Sequence, residues 1–163
     1  MRKPKAVVYF RRKREGRTDY VRRLSLLKSR LPRLVVRKTN KHLIVQVIEY
    51  LPDGDRVLAS ASTEHLAKHG WSAATGNSAA AYLTGMLLGK KLLAQKVDKE
   101  IIVDIGLQTH KKGSRLYAAV RGVKDAGVAV KCSADVLPGD ERLTGDHLSE
   151  KARKEFETVK NKL

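Results

Sequence analysis

Cysteine is almost missing from this chain: Cys132 is the only one in 163 residues. No disulfide can close within the chain, and no cysteine zinc cluster can form. A reduced, intracellular compartment fits. Aromatic residues make up only 5% of the chain, so the core is expected to be aliphatic. Long apolar runs are also missing. The longest, Ala79 to Gly89, covers about half of the ~20 residues that a membrane helix needs. The charged N-terminus has no apolar core of a signal peptide, so a cytoplasmic, soluble protein is expected. The length suits one domain with extensions.

Acidic residues are scarce at one end. Residues 1–41 hold sixteen Lys and Arg against Glu15 and Asp19, whereas the other 122 residues hold 18 cations and 15 acids. A basic arm is therefore joined to a nearly neutral globule. Such a segment repels itself until a polyanion neutralises it. Arginine outnumbers lysine there ten to six. Guanidinium forks match phosphate bidentately and stack on bases, which favours nucleic acid over a lipid surface. Tyr9, Phe10 and Tyr20 are interleaved with the cations and suit base stacking or packing under the arm.

Residues 1–17 read as an extended arm. Thr18 or Asp19 is expected to cap a helix reaching about Ser29. Val21, Leu24, Leu27 and Leu31 would form a stripe that docks, with the arginines outward. A calmodulin target or membrane-surface helix is the rival reading. Leu34–Lys38 and His42–Tyr50 predict a hairpin, and Arg56–Ser62 a third strand of an antiparallel meander. The hairpin tip, residues 37–42, concentrates cations, amide and hydroxyl groups. Thr63 is expected to cap a short helix over Glu64–His69. His65 and His69 stand four apart, but nothing nearby completes a metal site.

A long helix is expected over 77–96. Its small stripe, Ala81, Gly85 and Gly89, is read as packing tightly on a sheet. Lys99–Leu107 predicts a buried strand, Ser114 a helix cap, Gly127 a helix stop, and Val128–Lys131 a last strand, together a βαβ unit. The loop 108–113 and the Ser114 helix N-terminus then lie beyond a strand C-terminus, where an anion would bind. Asp146–Lys162 reads as a charged, exposed helix. The expected fold class is α/β (α+β): a mixed sheet of a meander followed by βαβ, with helices packed on it. The divisions are 1–32 (arm and amphipathic helix), 33–131 (globular domain) and 132–163 (polar C-terminal extension).

Catalysis finds no constellation. Asp104 lies mid-strand with only Asp98 and Glu100 near it, short of the gathered carboxylates a metal nuclease needs. There is no phosphate-binding glycine loop, no nucleophile elbow, and no base paired with Cys132. No cofactor and no small-molecule substrate are expected.

The run Arg33–Ile48, followed by Val57–Thr63, resembles the large-subunit ribosomal protein eighteen family, the universal binder of 5S rRNA. Gly76-Asn77 with Ala80, Ala81, Gly85 and Gly89 resembles that family's Gly-Asn-opened helix. Val103-Asp104-Ile105-Gly106, Gly113-Ser114-Arg115 and Ala126-Gly127-Val128 resemble its final βαβ segment. The bacterial pattern is shorter and has Tyr-His-Gly-Arg where Thr109–Arg115 stands here. The Phe10–Tyr20 segment and the C-terminal extension look archaeal or eukaryote-like, and without the long eukaryotic tail the archaeal type is expected. The resemblance implies a non-catalytic constituent of the large subunit. It would bind 5S rRNA and help attach it to large-subunit rRNA in the central protuberance, beside neighbouring proteins that include the other 5S rRNA binder. The rival is a general RNA-binding or RNA-chaperone module outside the ribosome.

Charge and resemblance together put the RNA contacts on three segments. The arm supplies Arg11, Arg12, Lys13, Arg14, Arg17, Tyr20, Arg22 and Arg23. The hairpin supplies Arg33, Arg37, Lys38, Thr39, Asn40, Lys41 and His42. The loop supplies Thr109, His110, Lys111, Lys112, Ser114 and Arg115. Specificity is expected from RNA shape and looped bases, since the A-form major groove is too narrow to read.

Overall fold

A computed structural model describes residues 8–97, 99–144 and 150–163. Arg2, Lys3 and Lys5 of the arm, Asp98 and the start of the expected C-terminal helix lie outside them. The elements run α1 (Arg11–Arg14), α2 (Tyr20–Lys28), β1 (Arg33–Lys38), β2 (Leu43–Glu49), β3 (Arg56–Ser62), a 3₁₀ helix (Thr63–His69), α3 (Ser78–Ala94), β4 (Ile101–Asp104), α4 (Arg115–Asp125), β5 (Val130–Lys131), a 3₁₀ turn (Ala134–Val136), α5 (Asp140–Thr144) and α6 (Glu150–Lys162). The five strands form one mixed sheet in the order β3-β2-β1-β4-β5. The meander is antiparallel, while β4 runs parallel to β1 and β5. This is the expected fold class.

Strand alternation divides the sheet into two faces. Leu34, Val36, Leu43, Val45, Val47, Ala59, Ala61 and Ile101 join one aliphatic core with α3 and α4. Arg33, Val35, Arg37, Ile102 and Asp104 alternate with them and fall on the other face. Residues Ala79 to Gly89 of α3 are buried without a break, because sheet, α4, α5 and α6 surround it.

Four local expectations are corrected. Residues 11–14 close a helical turn, for Phe10 C=O accepts from Lys13 N–H and Arg14 N–H, and Glu15 pairs with Arg11 and Arg17 at 3.7 and 3.2 Å. The cap of the 3₁₀ helix is Ser62, in a capping box with His65. Thr63 is instead buried, its Oγ1 accepting from Leu43 N–H at 3.1 Å. The small stripe of α3 packs on α4, not on the sheet: a Cβ on Gly85 or Gly89 would run into Ala119, Val123 or Ala126.

The fourth is the C-terminal helix. Ala152, Phe156 and Val159 of α6 are buried, with Phe156 5.9 Å from the Tyr82 ring. Their spacing of four and three residues is a helix stripe hidden among charges. Glu155 accepts from Ser72 N–H (2.9 Å), Ser72 Oγ–H (2.6 Å) and Ala73 N–H (3.2 Å). These bonds hold its carboxyl below the usual range, the Ser72 side chain contributing most. A lowered folded pKa stabilises above the unfolded pKa and is lost as pH falls through the folded one. Glu155→Ala should therefore raise amide hydrogen exchange in α6 at neutral pH while β1 and β2 stay protected. Acidifying the parent chain below the ordinary glutamate range should do the same.

Candidate nucleic-acid interface

The polar sheet face is built around Asp104. Arg33 Nη1 donates to its Oδ2 at 2.8 Å, and Arg37 Nη2 to its Oδ1 at 3.2 Å. Gly106 N–H donates to Oδ1 at 2.9 Å. Arg33 Nη2 also reaches Asp55 at 2.7 Å, and Arg23 meets the same carboxylate at 2.8 Å. Burial pushes the Asp104 carboxyl up. The Arg37 charge, the Gly106 N–H and the two guanidinium bonds outweigh it and hold the group below the usual range. The carboxylate, which closes β4 rather than standing mid-strand, is thus an ion-pair hub.

This hub decides the fate of two expected contacts. Arg33 has a side chain only 3% exposed, so its guanidinium is committed to Asp104 and Asp55 and does not meet solvent. It is a structural ion, a correction to its place among the RNA contacts. Arg37 is half-open, and also donates to the carbonyls of Val36 and Asp104 at 2.9 and 2.8 Å.

Helix α2 is capped by Asp19, whose side chain accepts from Val21 and Arg22 N–H. Its expected packing holds only in part, for Leu27 and Leu31 of the stripe are half-buried but the other two are not. Val21 is 79% exposed and Leu24 57%, whereas the helix attaches through its arginines. Arg22 donates to Gly106 C=O at 3.1 Å and to His110 Nε2, and Arg23 pairs with Asp55. With Nε2 accepting, His110 carries its proton on Nδ1, 2.9 Å from the Tyr117 hydroxyl. Burial, then the Arg22 charge, lowers its pKa.

Between α1, α2 and the sheet opens a cleft of about 350 Å³. Arg12, Arg17, Arg22, Arg23, Arg37 and Lys38 line it, with Thr18, Asp19, Leu26, Asp104 and residues 106–108. Six of the expected contacts converge here, although 26 positions separate the first from the last. Arg11, Lys13 and Arg14 are exposed on α1, Lys13 standing 4.0 Å over the Tyr9 ring. Tyr20 lies against Phe10 with centroids 5.2 Å apart.

The hairpin tip is closed by Thr39, which exchanges bonds with His42: Thr39 N–H to His42 C=O at 2.8 Å and His42 N–H to Thr39 Oγ1 at 2.9 Å. Asn40 and Lys41 are left exposed. His42 is half-buried, with Nε2 3.2 Å from Glu64 and Nδ1 3.2 Å from Thr75 Oγ1.

Lys111, Lys112, Ser114 and Arg115 border a second cleft, of about 320 Å³, with residues 76–78, Gly113 and Arg142. Here the N-termini of α3 and α4 meet, and Arg115 Nη1 donates to Gly76 C=O at 2.7 Å. Ser114 stands at the N-cap position of α4, but its side chain makes no capping bond, contrary to expectation. Thr109 is exposed on the loop between the clefts. Arg142 was missed by sequence reasoning, since it lies in a polar segment with no motif. The neighbouring charge run gave no sign that α5 folds back to α3. Among the described residues no three His, Cys, Asp or Glu gather as metal ligands, and no helix is long and apolar enough to cross a membrane.

Two basic clefts flanking one loop have the geometry of a polyanion binder. Residues 5–103 match the family model described as ribosomal large subunit proteins 60S L5 and 50S L18. Three archaeal relatives are each named large ribosomal subunit protein uL18. That of Methanococcoides burtonii is 48% identical over 90% of this chain and 84% of its own length. That of Korarchaeum cryptofilum is 50% identical, over 90% and 75%. That of Methanoregula boonei is 43% identical, over 97% and 90%. Identity of this degree over nine-tenths or more of the chain means that the chain belongs to the uL18 family of large-subunit ribosomal proteins.

Proposed function

We propose that the chain binds 5S rRNA and helps seat it against large-subunit rRNA in the central protuberance, in contact with the other 5S rRNA binder. Family membership makes it a non-enzymatic, structural component of the large ribosomal subunit. The observation that carries the finer reading is the cleft of about 350 Å³ lined by six cations from the arm and the hairpin. Such a wall suits a folded phosphate backbone better than a linear tail would. The second cleft offers a further backbone contact, so one protein can hold two strands in fixed relation. In this reading Arg11, Arg12, Lys13, Arg14, Arg17, Lys38, Asn40, Lys41, Thr109, Lys111 and Lys112, all exposed, meet phosphates and sugars. Arg22, Arg23, Arg37, His42, His110 and Arg115 are already bonded to the protein and position the walls.

Much of the affinity should be electrostatic. Each neutralised phosphate adds roughly 0.7–0.9 to the log–log slope of binding against salt. Arg12→Ala, Arg17→Ala and Lys38→Ala together should lower that slope by about 2–3 with folding unchanged. The parent chain should hold 5S rRNA against excess tRNA across the salt series. Equal affinity for both RNAs would overturn the 5S assignment and favour a general RNA-binding or chaperone module.

A further inference from the structure

The arm carries an apolar surface that neither the fold nor the phosphate contacts use. Phe10 is 72% exposed, Val21 79% and Leu24 57%. Phe10 lies 5.2 Å from Tyr20, with the rings inclined at 45°. Tyr20 and Leu24 stand four apart on α2, and Val21 and Leu24 three apart, so the side chains form one continuous patch. Leaving it in water costs free energy, and exposed patches of this kind mark interaction sites.

The surroundings decide the occupant. Arg12 and Arg17 flank the patch and lead into the larger cleft. The two nearby acids are engaged, Glu15 in ion pairs with Arg11 and Arg17 and Asp19 in capping α2. The ligand must therefore carry flat apolar faces on a polyanionic backbone. Unpaired nucleotides have that composition. A protein partner would need an apolar face ringed with carboxylates. The Tyr9 ring already has Lys13 over it, whereas the outer face of Phe10 is open.

Resting on the RNA reading above, we infer that Phe10 and Tyr20 are a stacking platform for unpaired bases, separate from the phosphate-binding wall. Bases emerging from a loop or bulge seat on the Phe10 ring while their phosphates run into the cleft beside Arg12 and Arg17. Stacking tolerates any base, since every base has a π-face.

The experiment uses the full chain carrying Phe10→Trp. The native indole, Trp71, is 4% exposed and contributes a constant background. Emission is followed on adding a short unstructured single-stranded RNA of unrelated sequence, the same strand annealed to its complement, or inorganic polyphosphate matched in charge. Quenching by the single strand alone is expected. Phe10→Ala should weaken single-strand binding about tenfold, leaving polyphosphate binding and the salt slope unchanged, and Phe10→Tyr should restore it. Equal quenching by polyphosphate overturns the inference. So does unaltered single-strand affinity in Phe10→Ala, which would leave the patch to an apolar protein face. The probe strand carries no 5S rRNA sequence, so failure of the tRNA competition would not touch this result, nor this failure that one.

Discussion

Asp104→Ala should unfold at a lower urea concentration, with a loss of about 3–5 kcal/mol and an unchanged dependence on urea. The value should fall near the lower end, because Arg33 keeps Asp55 through Nη2. What remains unpaired is Arg33 Nη1, in a side chain that is almost wholly buried. Its Nε already lacks a hydrogen-bond partner, so the variant would hold a buried cation with one bonded nitrogen of three. Removing one member of a buried pair costs more than the pair contributes, since the desolvated charge stays behind. Asp104→Asn should cost less, for an amide oxygen can still accept. The sign with pH follows from the lowered carboxyl pKa. Its stabilisation is complete above the unfolded value of about 3.9 and disappears as pH falls through the lower folded value. The gap between parent and Asp104→Ala should therefore be flat near neutrality and shrink in acid. A constant gap down to acid pH would mean that charge pairing is not the cause. Because Gly106 N–H and Arg37 also bind this carboxylate, the variant should weaken RNA binding through a loosened cleft wall.

The same hub marks a limit of reading by pattern. Arg33 precedes Leu34 and Val36 in a strand, and alternation places it opposite them. Charge alone then suggests solvent. Its burial is decided by Asp104, 71 residues away, and by Asp55 in a turn, and no local signal joins the three. Helix α2 shows a related limit. Periodicity identifies Val21 and Leu24 as the apolar side but cannot say that they stay exposed among the described residues. The helix attaches by Arg22 and Arg23 to groups 84 and 32 residues distant. By contrast, the meander and βαβ unit were legible, because β-branched runs, turn residues and helix stops are local and agree with one another. The basic hairpin and loop were legible for the same reason. That the two clefts share one loop was not, since it depends on where the sheet sets the strand ends.

Gly122→Ala should destabilise by about 3 kcal/mol, at the upper end of overpacking losses, although alanine is the better helix former by about 1 kcal/mol. The two preferences oppose each other, so the sign is informative. A Cβ on Gly122 would fall inside the van der Waals shell of the Tyr82 carbonyl and reach 3.0 Å from Met86 N. On the facing helix a Cβ at Gly85 would meet the Ala119 carbonyl in the same way, with Val123 N at 3.1 Å. The helices touch backbone to backbone at reciprocal glycines. Where the Cβ would stand, each glycine points a Cα–H at a carbonyl, a weak bond found at close helix contacts. Backbone cannot rotate aside as a side chain can, so relief requires α3 and α4 to separate along their length. Gly85→Ala should cost a similar amount. The double variant should cost less than the sum, because the first methyl already opens the contact for the second. Gly139→Ala, with nothing within 4 Å of its Cβ, should stay within about 0.5 kcal/mol. Losses that add fully would show two independent clashes without helix separation. The consequence for function follows from position. Asn77 and Ser114 begin the two helices, and Arg115 ties α4 to the Gly76 carbonyl. Moving the helices apart therefore pulls on the second basic cleft, and Gly122→Ala should weaken RNA binding there while leaving the cleft around Arg12 and Lys38 competent.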